Sequence, residues 1–247
     1  MPLVTPHWNV AVDGEIITSD VKNSLGTHVH SRNMRQFLCR KGTLTSHTYE
    51  CVDWQANGKA LRSMSFGERI WATKFVSGFN GCAKMMVRCK QWESDICPQC
   101  GICIESNWHV LWCTDSKAKS QRHQLTFNFD TWMTENQTHP ALHRLIIMIL
   151  QQGDTTSFSR CAQRNIDPQI TALVQEQDEI GMKNFFHGRI SRKWSVLQDQ
   201  HLRVNVSRSQ RSGTSWAAGM IRMIYRWGHA QWKSRNDAVH KKYSEIA

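Results

Sequence analysis

Residues 96–113 read ICPQCGICIESNWHVLWC, and four of these side chains are spaced as metal ligands. Cys97 and Cys100 flank a two-residue turn, helped by Pro98 and by Gly101 just after, that lets both thiolates bite one ion. His109 and Cys113 are separated by three residues, so they project from the same side of one helical turn. Val110, Leu111 and Trp112 between them can seat that turn on a core. The pattern Cys-x2-Cys-x8-His-x3-Cys therefore predicts one structural Zn2+ held by Cys97, Cys100, His109 and Cys113. Cys103 is a fifth thiol in the same loop. It reads as a bystander, because four ligands already close a tetrahedral site and leave no open position for chemistry.

Outward from this segment the chain reads as helices. On the N-terminal side, Cys82–Trp92 forms a short basic helix with Lys84, Arg88 and Lys90 on its charged face. Ser65-Phe66-Gly67-Glu68 is a capping box that opens a helix through Ile70, Trp71 and Phe75, and Gly78 ends it. Val52–Met64 and Ser31–Arg40 are further helices. Residues 1–30 carry little pattern beyond one short strand near Glu15–Thr18.

On the C-terminal side, His139-Pro140 and Asp167-Pro168 are helix starts, since proline suits the first helical turn. The first leads into Leu142, Leu145, Ile146, Ile149 and Leu150 at helical spacing and stops at Gly153. The second leads into Ile170, Leu173 and Val174. Two more helices are expected around Met182–Phe186 and Lys193–Leu202, followed by a linker over SRSQRSGTS, residues 207–215. In a long helix over Ser215–His240, Trp216, Met220, Met223 and Trp227 share one face, and Arg222, Arg226, His229 and Lys233 share the opposite one. His139 and His143 have metal-like spacing, but no neighbouring cysteine or carboxylate completes a site.

Charge is distributed unevenly over the 247 residues. Residues 1–180 hold 18 Lys/Arg against 17 Asp/Glu, whereas residues 181–247 hold 13 against 3, for a total of +11. A near-neutral body with a strongly basic end is the asymmetry of a chain that meets a polyanion, RNA or DNA. Nine cysteines with no secretory leader point to thiols and metal rather than disulfides. The longest apolar run, Leu145 to Leu150, is far too short to span a bilayer. The expectation is an intracellular protein, nuclear or cytoplasmic, without membrane association.

The stretch WQANGKALRSMSFGERIWATKFVSGFNGCAKMMVRCKQWESDICPQCGICIESNWHVLWC, residues 54–113, resembles the zinc-binding domain that follows the polymerase thumb in reverse transcriptases of non-LTR-type retroelements. The likeness rests on Trp71, Lys74 and Gly78, on the basic helix, and on CPxCG followed by an acidic residue and H-V-L-x-C. DEIGMKNFFHGRISRKWSVLQDQHL and the spacing of Trp232, Arg235, Asn236 and His240 are similar to the tails of retroelement-derived reading frames. The resemblance implies the same four ligands. It does not carry over polymerase activity, because the aromatic-x-Asp-Asp signature is absent, and Asp178-Glu179 with Lys183 suits a solvated helix face better than a nuclease site.

These readings combine into a mainly α chain, a helical bundle with a small CCHC zinc module inserted mid-chain. Its expected parts are a weakly structured segment 1–48, a zinc-binding module 49–136 and a basic helical domain 137–247. The expected function is non-catalytic nucleic-acid binding, derived from the end of a retroelement reverse transcriptase. The candidate contacts are Lys84, Arg88, Lys90, Arg189, Arg192, Lys193, Arg222, Arg226, Lys233 and Arg235. Trp92 and Trp108 are candidates for stacking on unpaired bases. The alternative is an interaction domain that docks a Trp-rich surface onto a reverse-transcriptase polymerase domain.

Overall fold

A computed structural model describes residues 10–12, 15–17, 20–153, 156–162, 168–205 and 212–244. The chain divides into two compact units, residues 1–50 and 51–247. In the first, β1 (Val10–Val12) pairs antiparallel with β2 (Glu15–Ile17), placing Val10 opposite Ile17. Helix α1 (Val21–Arg40) follows, then α2 (Ser46–Cys51), which crosses the boundary. Tyr49 donates its hydroxyl to the Ser31 carbonyl, and Arg35 pairs with Glu50 at 2.9 Å. The expectation of a weakly structured 1–48 is thus corrected over this stretch. Helix α1 starts ten residues before Ser31 and runs through Gly26, because one glycine costs a helix only about 1 kcal/mol.

The second unit contains α3 (Trp54–Ser63), α4 (Phe66–Ser77), α5 (Ala83–Arg88), α6 (Asn107–Trp112), α7 (Ser116–Glu135), α8 (Pro140–Gln152), α9 (Phe158–Cys161), α10 (Pro168–Ile180), α11 (Met182–Phe186), α12 (Arg192–Asn205) and α13 (Gly213–Ser244). The expected division at 136/137 does not separate two bodies. Ala56, Trp71, Leu111 and Phe129 share a single core with Ile146, Leu173, Phe186, Trp194 and Trp227. The chain is mainly helical, as its periodicity requires. The Asp167 helix start and residues 207–211 of the expected linker lie outside the described residues, and Gly213 to Ser215 already belong to α13.

Local chemistry sets the boundaries. Ser65 Oγ accepts from the Glu68 amide at 3.3 Å, and Glu68 Oε2 accepts from the Ser65 amide at 2.8 Å, closing the capping box of α4. At the start of α8, His139 Nδ1 accepts from the Ala141 amide at 3.2 Å and Pro140 occupies the first turn. Gly153 ends α8 at φ 71°, against the indole of Trp112. A Cβ there would lie 2.7 Å from Trp112 Cε3. Gly153→Ala therefore combines left-handed backbone strain with a clash and is expected to cost about 1–3 kcal/mol. Thermal denaturation should show it as a midpoint roughly 2–12 °C lower.

Helix α13 is the axis of the core and packs against α3, α12, α7, α4 and α6. Trp216, Met220 and Trp227 are buried as their spacing predicts, but so are Ala217, Ala218, Ile221, Ile224 and Tyr225. Burial extends well beyond one stripe, and Gly228 lets the Trp71 ring close in: a Cβ there would lie 3.1 Å from Trp71 Cη2. The expected basic face is displayed only in part: Arg226 and Lys233 are exposed, whereas Arg222 and His229 are half-buried.

Candidate metal centre

The segment that precedes α6 folds into a small hairpin. The Cys97 amide donates to the Cys103 carbonyl and the Glu105 amide to the Asp95 carbonyl, both at 2.8 Å, with Ile96 and Ile104 as a bridge pair. The turn closes through the Gly101 amide on the Cys97 carbonyl at 2.8 Å, and Gly101 takes the left-handed φ of 66° that the turn requires. Ser106 caps α6 by accepting from the His109 amide at 3.0 Å. Val110 and Leu111 are buried, and this seating turns His109 and Cys113 toward the hairpin.

The ligand atoms of Cys97, Cys100, His109 and Cys113 all lie within 4.8 Å of one another. Cys97 Sγ is 3.8 Å from Cys113 Sγ, and Cys100 Sγ is 3.5 Å from His109 Nε2. Zinc–sulfur bonds of about 2.3 Å and a zinc–nitrogen bond of about 2.0–2.1 Å give tetrahedral edges of about 3.8 and 3.6 Å. The two separations match those edges, so the cluster fits such an ion. Cys103 stands outside it. Its side chain is exposed and it serves the hairpin through its carbonyl.

Electrostatics prepare the thiols. Cys97 donates to Cys113 and is buried, which pushes its pKa up to about 12, while the same hydrogen bond holds Cys113 below its ordinary value. Burial opposes ionisation of Cys100, yet amides of Cys103 and Ile102 outweigh it and pull the thiol down. The hydrogen bond with Cys97 raises His109 despite burial. A bound cation would replace these shared protons.

Glu105, the acidic residue of the CPxCG…H-V-L-x-C pattern, has a role that sequence reading missed. It is fully buried, accepts from the Ala83 amide at 2.6 Å, lies 3.7 Å from Cys97 Sγ, and receives Arg235 Nε at 2.7 Å and Arg235 Nη2 in a bidentate ion pair. One carboxylate thus ties the hairpin to α5 and α13. Arg122 on α7 backs the cluster from the other side, donating to the carbonyls of Leu111 and Cys113 at 3.2 Å each.

The candidate nucleic-acid contacts separate into two groups. Lys84 and Arg88 are exposed on α5, and Lys90 is exposed just past its end, because the helix stops at Arg88 rather than Trp92. Arg192 and Lys233 are also exposed. Arg189 and Arg235 are buried and are corrected to core residues: Arg189 donates to Asn184 Oδ1 at 2.6 Å, and Arg235 lies 5.4 Å over the Trp92 ring. Arg226 pairs with Glu68 at 2.9 Å, Lys193 with Glu176 at 2.9 Å, and Arg222 donates to Ser63 Oγ at 3.3 Å. His229 stacks on Trp71 at 4.9 Å, and burial lowers its pKa. Trp108 is partly buried and meets Phe186 edge-on at 5.4 Å.

The remaining motifs do not form sites. His143 pairs with Asp130 at 2.6 Å while His139 caps α8, so the two imidazoles do not converge. Asp178 accepts from the amides of Phe158 at 2.7 Å and Ser159 at 2.9 Å, which commits it to the start of α9. No helix among the described residues is long and apolar enough to cross a membrane. No family model, curated protein or solved structure matches the chain.

Proposed function

We propose that this chain is a zinc-stabilised module that binds nucleic acid without acting on it chemically. The observation that carries the reading is the juxtaposition of the Cys97, Cys100, His109, Cys113 cluster with the exposed cations of α5. Glu105 joins the two, taking a hydrogen bond from Ala83 at the first turn of α5 while lying against Cys97. A thiolate-rich tetrahedral set suits zinc, whose role here is to fix the hairpin and, through it, the direction in which Lys84, Arg88 and Lys90 point. The likeness of residues 54–113 to the zinc-binding domain of retroelement reverse transcriptases supports the same reading and its derivation from such an element. The non-catalytic part is supported by Asp178, whose carboxylate is occupied in holding α9.

Binding to labelled RNA and DNA measured against salt tests this. A strand held by phosphate contacts should lose affinity with a log–log slope of about −0.7 per contacted phosphate. Lys84→Glu with Arg88→Glu should flatten that slope by roughly one to two contacts' worth. No binding at low salt defeats the proposal. The second reading, docking onto a polymerase domain, is favoured by Phe66 and Ile70, which stand exposed one turn apart on α4. Unchanged nucleic-acid binding after the α5 charge reversal would point to it.

A further inference from the structure

A cavity of ≈ 390 Å³ opens between the end of α4, α5, the start of α6 and α11. Its wall carries Lys84, Arg88 and Lys183 and no carboxylate. None of these three cations forms an ion pair among the described residues, whereas Arg226, Lys193 and Arg235 all do. Like charges gathered around one concavity favour an anionic occupant. The rest of the wall is largely apolar, with Phe75, Met85 and Trp108 contributing.

Two polar atoms in this wall, Asn107 Oδ1 and His187 Nδ1, are buried without a hydrogen-bond partner among the described residues. The Asn107 amide is oriented by its own N–H on the Phe75 carbonyl at 3.4 Å. Unsatisfied buried groups of this kind mark places where a ligand or an ordered water completes the structure.

We infer that the cavity receives one unpaired nucleotide of a bound strand. Its phosphate rests on Lys84, Arg88 and Lys183, and its base lies against Phe75, Met85 and Trp108. The inference rests on the nucleic-acid reading above and adds a selectivity that reading lacks. A base inside a duplex must leave its stack and its pair before entering, so single strands are favoured over duplex. The expected preference is about tenfold, the order of one base–aromatic stack.

The test uses the full zinc-loaded chain with a short labelled single strand, the duplex of the same sequence, and uridine 5′-monophosphate as competitor. Met85→Trp fills the cavity without changing charge, and Lys183→Glu reverses a charge on an exposed position. The parent should prefer the strand about tenfold, and the monophosphate should compete. Met85→Trp should lose both properties while keeping its affinity for duplex, and Lys183→Glu should weaken strand binding. Equal binding of strand and duplex by the parent, or a preference that survives Met85→Trp, overturns the cavity while leaving the nucleic-acid reading intact. Monophosphate binding without any strand binding at low salt overturns the nucleic-acid reading and, with it, the inference. If thermal melting shows Met85→Trp misfolded, unchanged strand affinity in Lys183→Glu overturns the inference on its own.

Discussion

Replacing Cys113 with serine is expected to strip the chain of one equivalent of zinc and to collapse the hairpin. The Cys113 side chain is fully buried, with its sulfur 3.8 Å from that of Cys97. A serine hydroxyl stays protonated near neutral pH and supplies no anionic ligand, so three donors remain around a position built for four. Structural zinc contributes about 10–16 kcal/mol in isolated small modules. The loss in this chain is smaller, because the helices around α13 keep their own core. A fall of more than about 10 °C in the melting midpoint is expected. Metal analysis by mass spectrometry reads the stoichiometry directly. Cys103→Ser is the matched control and should retain the ion, since that residue serves the hairpin through its backbone and its side chain is exposed. Equal zinc content in both variants would sink the ligand assignment.

The second large effect is expected at Glu105. Neutralising it as Glu105→Gln leaves the guanidinium of Arg235, only 4% exposed, without its counter-charge. Removing one partner of a buried ion pair costs about 3–5 kcal/mol. For a chain of this size that corresponds to a midpoint lower by roughly 6–20 °C. Removing both charges with Arg235→Met should recover part of the loss, and a double-mutant cycle in denaturant measures the coupling. Because Glu105 Oε2 also accepts from the Ala83 amide, the single variant should speed hydrogen exchange there. Additive losses in the cycle, with unaltered exchange at Ala83, would show that the pair does not organise α5.

What could be read from the residues depended on whether one local signal was enough. The capping box at Ser65, the proline start at Pro140 and the glycine stops at Gly78 and Gly153 each follow from a few adjacent residues, and each is where it was expected. The four clustered side chains Cys97, Cys100, His109 and Cys113 likewise come from one short segment. Helix α7 escaped notice because its inward face carries Arg122, Thr126, Phe129 and Met133, whereas Phe127 is 63% exposed. Polar residues on the core side and an aromatic in water erase the apolar period that marks a helix. The partnership of Glu105 with Arg235 was out of reach for another reason. It joins residues 130 positions apart, and nothing in either neighbourhood names the other. The same distance hid the burial of Arg235, while Arg189 is buried on a partner only five residues away, Asn184, so charge counting alone credited the surface with two cations that belong to the interior.

The position of α13 bears on how the unit is synthesised. Arg226 meets Glu68, a partner 158 residues upstream, and Gly228 receives the Trp71 ring. Trp71, Trp112 and Phe186 take part of their cover from this helix, through His229 and Trp227. Closure across so many residues is entropically slow, and exposed apolar surface in the interval invites aggregation. Closure of this core therefore waits on α13, and a chain lacking that helix is expected to partition into the pellet when soluble and insoluble fractions are compared.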